Sequence, residues 1–254
     1  MSKIVTVRGV KIGAGAPKVI VPIVERSYSE IIEKAMSFED RPIDMVEWRA
    51  DFFDEIFDTE RVLYTLSGLR VTLENIPLLF TFRTKGEGGD KEISWADYTA
   101  LNKAVAESGK ADLVDVEVFG GDGVARENID NIHNAGCLVV GSNHDFHATP
   151  PAGELVSRLR KIQDMGADIA KIAVMPTCTA DVLALLGATA EMYEKHAKCP
   201  LITMSMSAMG VISRLSGEVF GSAATFGSVG KGSAPGQISV EQLAQALGIL
   251  HDAI

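Results

Sequence analysis

Cysteine is scarce in this chain: Cys137, Cys178 and Cys199 lie far apart, odd in number and without CxxC spacing. That excludes a disulfide framework and a thiolate metal centre, and leaves reduced, mostly buried thiols as the plain reading. Long apolar runs are missing too, and no stretch approaches the roughly 18 residues a membrane helix requires. Residues 1–10 contain no apolar core followed by a small-residue cleavage site, so no signal peptide is expected and the expected location is cytoplasmic. No Lys/Arg-rich cluster occurs, and 34 acidic against 24 basic residues leave a net charge of −10. Nucleic acid and anionic membrane are therefore poor partners. A GxGxxG nucleotide fingerprint, a low-complexity segment and a Pro/Gly/Ser linker are likewise absent.

What is present is a composition ordinary for a globular core, 46% hydrophobic and 23% charged. Eight β-type runs recur along the chain, at 18–24, 43–49, 77–83, 112–118, 137–142, 169–175, 201–206 and 219–226. Helical patterns fall between them. Ser27-x-x-Glu30 is a capping box, and Ser94-x-x-Asp97 and Ser239-x-x-Gln242 have the same form. Thr59 precedes Val62, Leu63, Leu66 and Leu69, spaced along one helical face. Thr149-Pro150 opens another helix, with Gly166 as its stop. The fourth and seventh helices are weakly marked and expected to be short. Strand and helix alternating eight times predict a single-domain (β/α)8 barrel over 1–254, an α/β fold of parallel strands. An N-terminal β-hairpin, 4–7 and 10–12 around Arg8-Gly9, is expected to close the barrel floor.

In such a barrel the active site lies at the C-terminal ends of the strands, and alternation decides which residues share a face. Glu47, Arg49 and Asp51 share one parity, and so do Asp115 and Glu117. Lys171, inside the apolar run 169–174, is the most informative residue. Burial disfavours its ammonium, and a neutral amine is the nucleophile that forms an imine with a ketone. The structural alternative is a buried lysine paired with Asp115, Glu117 or Glu47. His144 follows the fifth run and suits proton transfer, with His147 as competitor; His133, His196 and His251 look solvated. Arg49, Arg83 and Arg214 fall at strand ends or catalytic-face loops, where together they favour an anionic ligand. Met204 and Met206 have the character of core filler. The glycine-rich loop 227–237 reads as a phosphate cradle, a mobile lid or a plain connection.

Taken in order, these motifs resemble the type I 3-dehydroquinate dehydratase family. The matching pieces are Asp44-Met-Val-Glu47-Trp-Arg49-Ala-Asp51, Phe82-Arg83-Thr84 with Gly86-Glu87-Gly-Gly, Asp115-Val-Glu117 and Ser142-Asn-His144-Asp-Phe146. They continue with Asp168-Ile-Ala-Lys171, Met204-Ser-Met206, Ser213-Arg214 and Ser233-Ala-Pro-Gly-Gln237, and so span nearly the whole chain. The resemblance implies a Schiff base between Lys171 and the C3 ketone of 3-dehydroquinate, with syn elimination of water. His144 would take the C2 proton and later protonate the departing C1 hydroxyl. Glu87 would orient His144, and Asp115 would support the site electrostatically. Arg214 would bind the substrate carboxylate. Glu47, Arg49, Arg83, Ser233 and Gln237 would hold hydroxyls or order the site, while Met204, Met206 and Phe226 pack on the ring. The resemblance implies no cofactor and no metal, and a homodimer as the assembly. Pro22 departs from the family, some of whose members carry a small hydroxyl residue there. A class I aldolase, another Schiff-base barrel, is the nearest competing reading, and a silent ligand-binding barrel is a third.

Overall fold

A computed structural model describes residues 3–230 and 236–254. It opens with an antiparallel hairpin, β1 (Val5–Val7) and β2 (Val10–Ile12), turned through Arg8 and Gly9 at φ 46° and 85°. Eight barrel strands follow: β3 (Lys18–Ile23), β4 (Met45–Arg49), β5 (Leu78–Thr81), β6 (Leu113–Glu117), β7 (Leu138–Asp145), β8 (Ile169–Val174), β9 (Leu201–Ser205) and β10 (Ala224–Phe226). Their order is β10-β3-β4-β5-β6-β7-β8-β9, every neighbouring pair parallel. The two ends meet where Leu201 bridges Ser222 and the Ala223 N–H donates to the Leu201 carbonyl at 2.7 Å. The sheet is thus a (β/α)8 barrel. Among the described residues no helix is long and apolar enough to cross a membrane.

The helices are α1 (Tyr28–Met36), α2 (Thr59–Leu73), α3 (Trp95–Glu107), α4 (Asp122–Asn134), α5 (Ala152–Asp164), α6 (Thr179–Glu191), α7 (Val211–Leu215), α8 (Gly217–Phe220) and α9 (Val240–His251). Ser27 and Glu30 form the reciprocal capping box, and Ser94 and Ser239 cap α3 and α9 as expected. The cap of α2 is Asp58, one residue before Thr59, because its carboxylate accepts the N–H groups of Glu60 and Arg61. α5 begins at Ala152, later than Thr149-Pro150 suggests. Consecutive prolines at 150 and 151 hold the residues before them out of the helical region. Helix α4 is a full 13 residues rather than short. Its apolar stripe of Ala125, Ile129 and Ile132 is diluted by buried Asn128, whose amide is satisfied by Asn102, Thr99 and the Val124 carbonyl. The seventh helical segment is short, split into α7 and α8.

Two strands differ from their predicted bounds by three residues or more at one end. β7 runs on to Asp145, so His144 lies on the strand rather than in the loop after it. The run expected at 219–226 shrinks to Ala224–Phe226, its first residues being turned into α8 and stopped by Gly221 at φ 94°. The far end of β10 has its own cause. Lys18 N–H and the Ile20 carbonyl both bond to the β10 side, so alternate residues of β3 face it. The next such residue is Pro22, which has no N–H to continue the ladder.

Barrel and helices build two apolar shells. The outer one, between strands and helices, holds Val46, Trp48, Phe80, Val116 and Ile172. The inner one fills the floor with Ile20, Met45, Leu79, Leu113, Val140, Ile169 and Ile202, and Val7 and Ile12 of the hairpin pack into it from below. Aspartates at strand bases lock the floor: Asp44, Asp112 and Asp168 each accept a backbone N–H from the strand before them, at 2.8–2.9 Å. Arg8 of the hairpin turn joins Asp112 at 2.7 Å, which ties the plug to the barrel.

Candidate active site

Two steps along a strand keep a side chain on the same face. From the apolar floor the first step reaches Glu47, Thr81, Asp115, Ser142 and Lys171; the second reaches Arg49, Arg83, Glu117, His144 and Ala173. The barrel interior therefore changes from apolar to charged in one layer, towards the C-terminal ends of the strands. A cleft of about 440 Å³, including its open mouth, is lined there by Glu47, Arg49, Arg83, Glu87, His144, Phe146, Lys171, Ala173, Met204, Met206, Phe226 and Gln237.

Lys171 is 4% exposed at the bottom of this cleft. Its Nζ lies 3.2 Å from Glu47 Oε1 and 3.3 Å from Asp115 Oδ2, and 4.8 Å above the Phe226 ring. It is paired with two of the carboxylates that the structural alternative named, and it also lines the cleft. At an effective dielectric near 20, each contact is worth on the order of 5 kcal/mol of attraction, enough to offset much of the cost of burying a cation. The same attraction would serve an iminium at that nitrogen. Asp115 in turn accepts from Ser142 Oγ at 2.6 Å and meets Arg83 Nη2 at 2.8 Å. Burial alone pushes Asp115 up, but Arg83, Lys171 and the Ser142 hydrogen bond outweigh it and hold the carboxyl below its ordinary range.

Arg83 Nη1 donates to Glu117 Oε1 at 2.9 Å and to Ser142 Oγ at 3.0 Å, so most of its fork is taken up inside the protein. Glu117 also accepts the Thr84 N–H and hydroxyl, at 2.8 and 2.7 Å, and so anchors the loop that carries Glu87. Gly88 closes that loop at φ 85° beneath Phe146, whose ring lies 2.3 Å from where a Cβ would stand. The turn delivers Glu87 to His144: Oε2 lies 3.0 Å from Nδ1 and accepts the His144 backbone N–H at 2.9 Å, while Oε1 accepts from Asn143 Nδ2 at 3.1 Å. Burial and the charge of Glu117 push Glu87 up to about 8, against Arg83 and the Asn143 hydrogen bond. Burial, then the charges of Arg83, Lys171 and Arg49, push His144 well below the ordinary imidazole value. His144 is thus held neutral, with Nδ1 engaged and Nε2 left for the cleft. His144 pairs with Ala173 in the sheet while Lys171 pairs with Ser142, so His144 lies two residues, about 7 Å of strand, beyond the level of Lys171 on neighbouring strands.

The remaining candidates divide. Arg49 is clamped at 2.8 Å by both oxygens of fully buried Asp51 and offers its outer face to the cleft. Met204, Met206 and Phe226 line one wall and Gln237 the rim. Arg214 stands behind that wall, 1% exposed, its Nη1 3.9 Å from Met204 Sδ, and burial brings it down to about 10. It does not itself line the cleft. Ser233 lies outside the described residues. His147 is exposed, its backbone N–H bonded to Asp145, and His133 and His251 pair with Asp168 and Glu218 away from the cleft. Sequence reasoning assigned no role to Ser142, Asn143, Phe146, Ala173 or Arg158. Only the alternation of β7, which places Ser142 on the same side as His144, could have found any of them.

Comparison with known proteins falls on the same ground. A model of the type I 3-dehydroquinase family matches residues 19–254. The 3-dehydroquinate dehydratase of Bacillus licheniformis is 50% identical over 251 residues, covering 99% of each chain. That of Salmonella paratyphi B is also 50% identical over 251 residues, 99% of this chain and all of its own. A crystal structure of a type I 3-dehydroquinate dehydratase from Clostridium difficile with covalently modified comenic acid has a TM-score of 0.97 at 49% identity, each chain wholly covered.

Proposed function

The chain belongs to the type I 3-dehydroquinase family and is a hydro-lyase that converts 3-dehydroquinate to 3-dehydroshikimate through a Schiff base, a step of the shikimate pathway; from that premise we propose the residues that carry each step. Lys171 attacks the C3 ketone, and loss of one water gives the imine. Glu47 and Asp115, at 3.2 and 3.3 Å from Nζ, stabilise its positive charge. The iminium acidifies the neighbouring C2–H by acting as an electron sink. His144 Nε2 takes that proton, with Glu87 holding Nδ1, and returns it to the C1 hydroxyl as that leaves as water. A second water hydrolyses the imine and frees Lys171, so one water is lost overall. A positioned general base of this kind contributes about 10²–10⁴-fold.

Arg49, Arg83 and Gln237 hold the hydroxyl groups or order the site, with Ser233 carried over from the family resemblance alone. Met204, Met206 and Phe226 pack on the ring. Arg214, whose Nη1 lies 3.9 Å from Met204 Sδ, is the carboxylate ligand in this reading. The same reading takes the whole chain as one cytoplasmic domain that forms a homodimer, and light scattering on the purified protein tests the dimer. The observation that carries the proposal is a buried primary amine at the bottom of a cleft, beneath a neutral, carboxylate-held imidazole. Borohydride reduction in the presence of 3-dehydroquinate, followed by intact-mass and peptide mapping, should leave a substrate-derived adduct on Lys171. An active enzyme that leaves no adduct there would refute the assignment.

A further inference from the structure

We propose that Arg158, on the outer face of the barrel, is a positioning residue for the His144–Glu87 pair and acts through Asn143. The inference rests on the reading of His144 as proton carrier and Glu87 as its partner. Arg158 belongs to α5, and its Nη1 donates to Asn143 Oδ1 at 3.0 Å. Asn143 Nδ2 then donates to Glu87 Oε1 at 3.1 Å, the oxygen that His144 does not use. Asn143 has the helix-facing parity of β7, so this chain of contacts passes through the barrel wall, from helix to strand to cleft.

The physical content lies in the asymmetry of the carboxamide. One end accepts and the other donates, whereas a guanidinium only donates. Arg158 therefore compels Oδ1 to face outwards and the NH2 group to face Glu87. A protonated Oε1 would confront that NH2 group donor to donor. Without Arg158 the amide is free to turn over, present Oδ1 to Glu87 and accept a proton from it. Arg158 thus keeps Oε1 bare and the carboxylate available to hold Nδ1–H of His144.

The other charged groups around Glu87 do not duplicate this contact. Arg83 approaches Oε2 at 3.7 Å, and Asp115 and Glu117 are acceptors already engaged with Arg83. Arg158 is itself held in place by Glu154 at 2.9 Å and by the Phe119 ring, which it shares with Lys161. Glu154→Gln supplies a control, because glutamine keeps an oxygen that can accept from Arg158 Nε.

The test is steady-state kinetics across the neutral and alkaline range for R158L, R158K, E154Q and E87Q, each checked for an unchanged melting temperature. R158L should lower kcat about three- to tenfold, the worth of a single hydrogen bond, with KM unchanged and the rising limb of the pH profile moved to higher pH. R158K keeps a cationic donor and should recover part of the loss, and E154Q should match the wild type. Unchanged kcat and pH profile in R158L overturn the relay. So does an equal loss in R158L and R158K accompanied by a rise in KM, the mark of a merely structural role. R158L without effect while E87Q is impaired would sink the relay and leave the His144–Glu87 reading standing. No effect in either would sink both.

Discussion

Replacing Glu87 with glutamine should lower turnover and erase one limb of the pH profile, and both effects can be worked from the geometry. Three N–H donors converge on Glu87: those of Asn143, the His144 backbone and, in the base-competent tautomer, His144 Nδ1. That arrangement suits a carboxylate. Burial and Glu117 oppose it and bring the group up to about 8. Below that value the extra proton spoils the hold on Nδ1, so turnover should rise with pH through about 8 and then level. His144 is pushed well below 6.5, so protonation of the imidazole adds no second limb between 6.5 and 8. Glutamine cannot ionise and offers one acceptor where three donors point. Losing a charge-assisted hydrogen bond costs about 1.5–3 kcal/mol, or roughly 10- to 150-fold in rate. The expected E87Q profile is flat through pH 8 at a kcat lowered by that factor. A limb near 8 that survives in E87Q, or a wild-type plateau, would refute the reasoning.

Other expectations follow from the same packing. Asp115→Asn leaves buried Arg83 and Lys171 short of a shared carboxylate, and should cost about 3–5 kcal/mol in urea unfolding at neutral pH. Because Asp115 is held below its ordinary value in the folded state, that stabilisation is present at neutral pH and lost only as the pH falls below about 3.8, where the unfolded carboxyl protonates. A loss under about 1 kcal/mol at neutral pH would contradict the buried-pair argument. Gly88→Ala places a Cβ at φ 85° against the Phe146 ring and should displace Glu87, lowering kcat with little change in KM; wild-type kcat would show that the turn does not set Glu87. Glu87 also reports on stability. Its folded value near 8 lies above the ordinary 4.5, so its contribution is complete in acid and lost as pH rises through about 8. The melting temperature of E87Q relative to wild type should therefore climb from pH 5 towards pH 8, and a constant difference would oppose the assignment.

Family membership removes the aldolase alternative that the sequence left open, since a lysine in a barrel strand is common to both readings. It does not by itself say how the cleft is held together, and here the residues between the motifs matter. Asp51 clamps Arg49, and Glu117 anchors the turn before Glu87. Neither touches the imine nitrogen, yet both set the positions of groups that line the cleft.

Alternation and capping make most of the barrel legible in the sequence. Strand parity grouped Glu47 with Arg49 and Asp115 with Glu117 on shared faces, because successive side chains on a pleated strand point to opposite sides. The capping boxes at Ser27, Ser94 and Ser239 are local hydrogen bonds and depend only on neighbouring residues. Some departures were local, as at the starts of α2 and α5, and others came where a distant group decides. Pro22 of β3 ends β10 across the sheet, and buried Asn128 is tolerated in α4 only because Asn102 of another helix satisfies it. Likewise, sequence could mark Lys171 as buried but not choose between a paired and a cleft-facing amine, because Glu47 and Asp115 lie 124 and 56 residues away along the chain. Asn143, though inside a matching motif, and Arg158 were given no role, because the one has the outward parity of its strand and the other the composition of an ordinary helix surface. Period and cap are encoded in a few adjacent residues; a carboxylate's protonation is set by every charge and donor within hydrogen-bonding or Coulombic reach, and only the closed barrel brings those together.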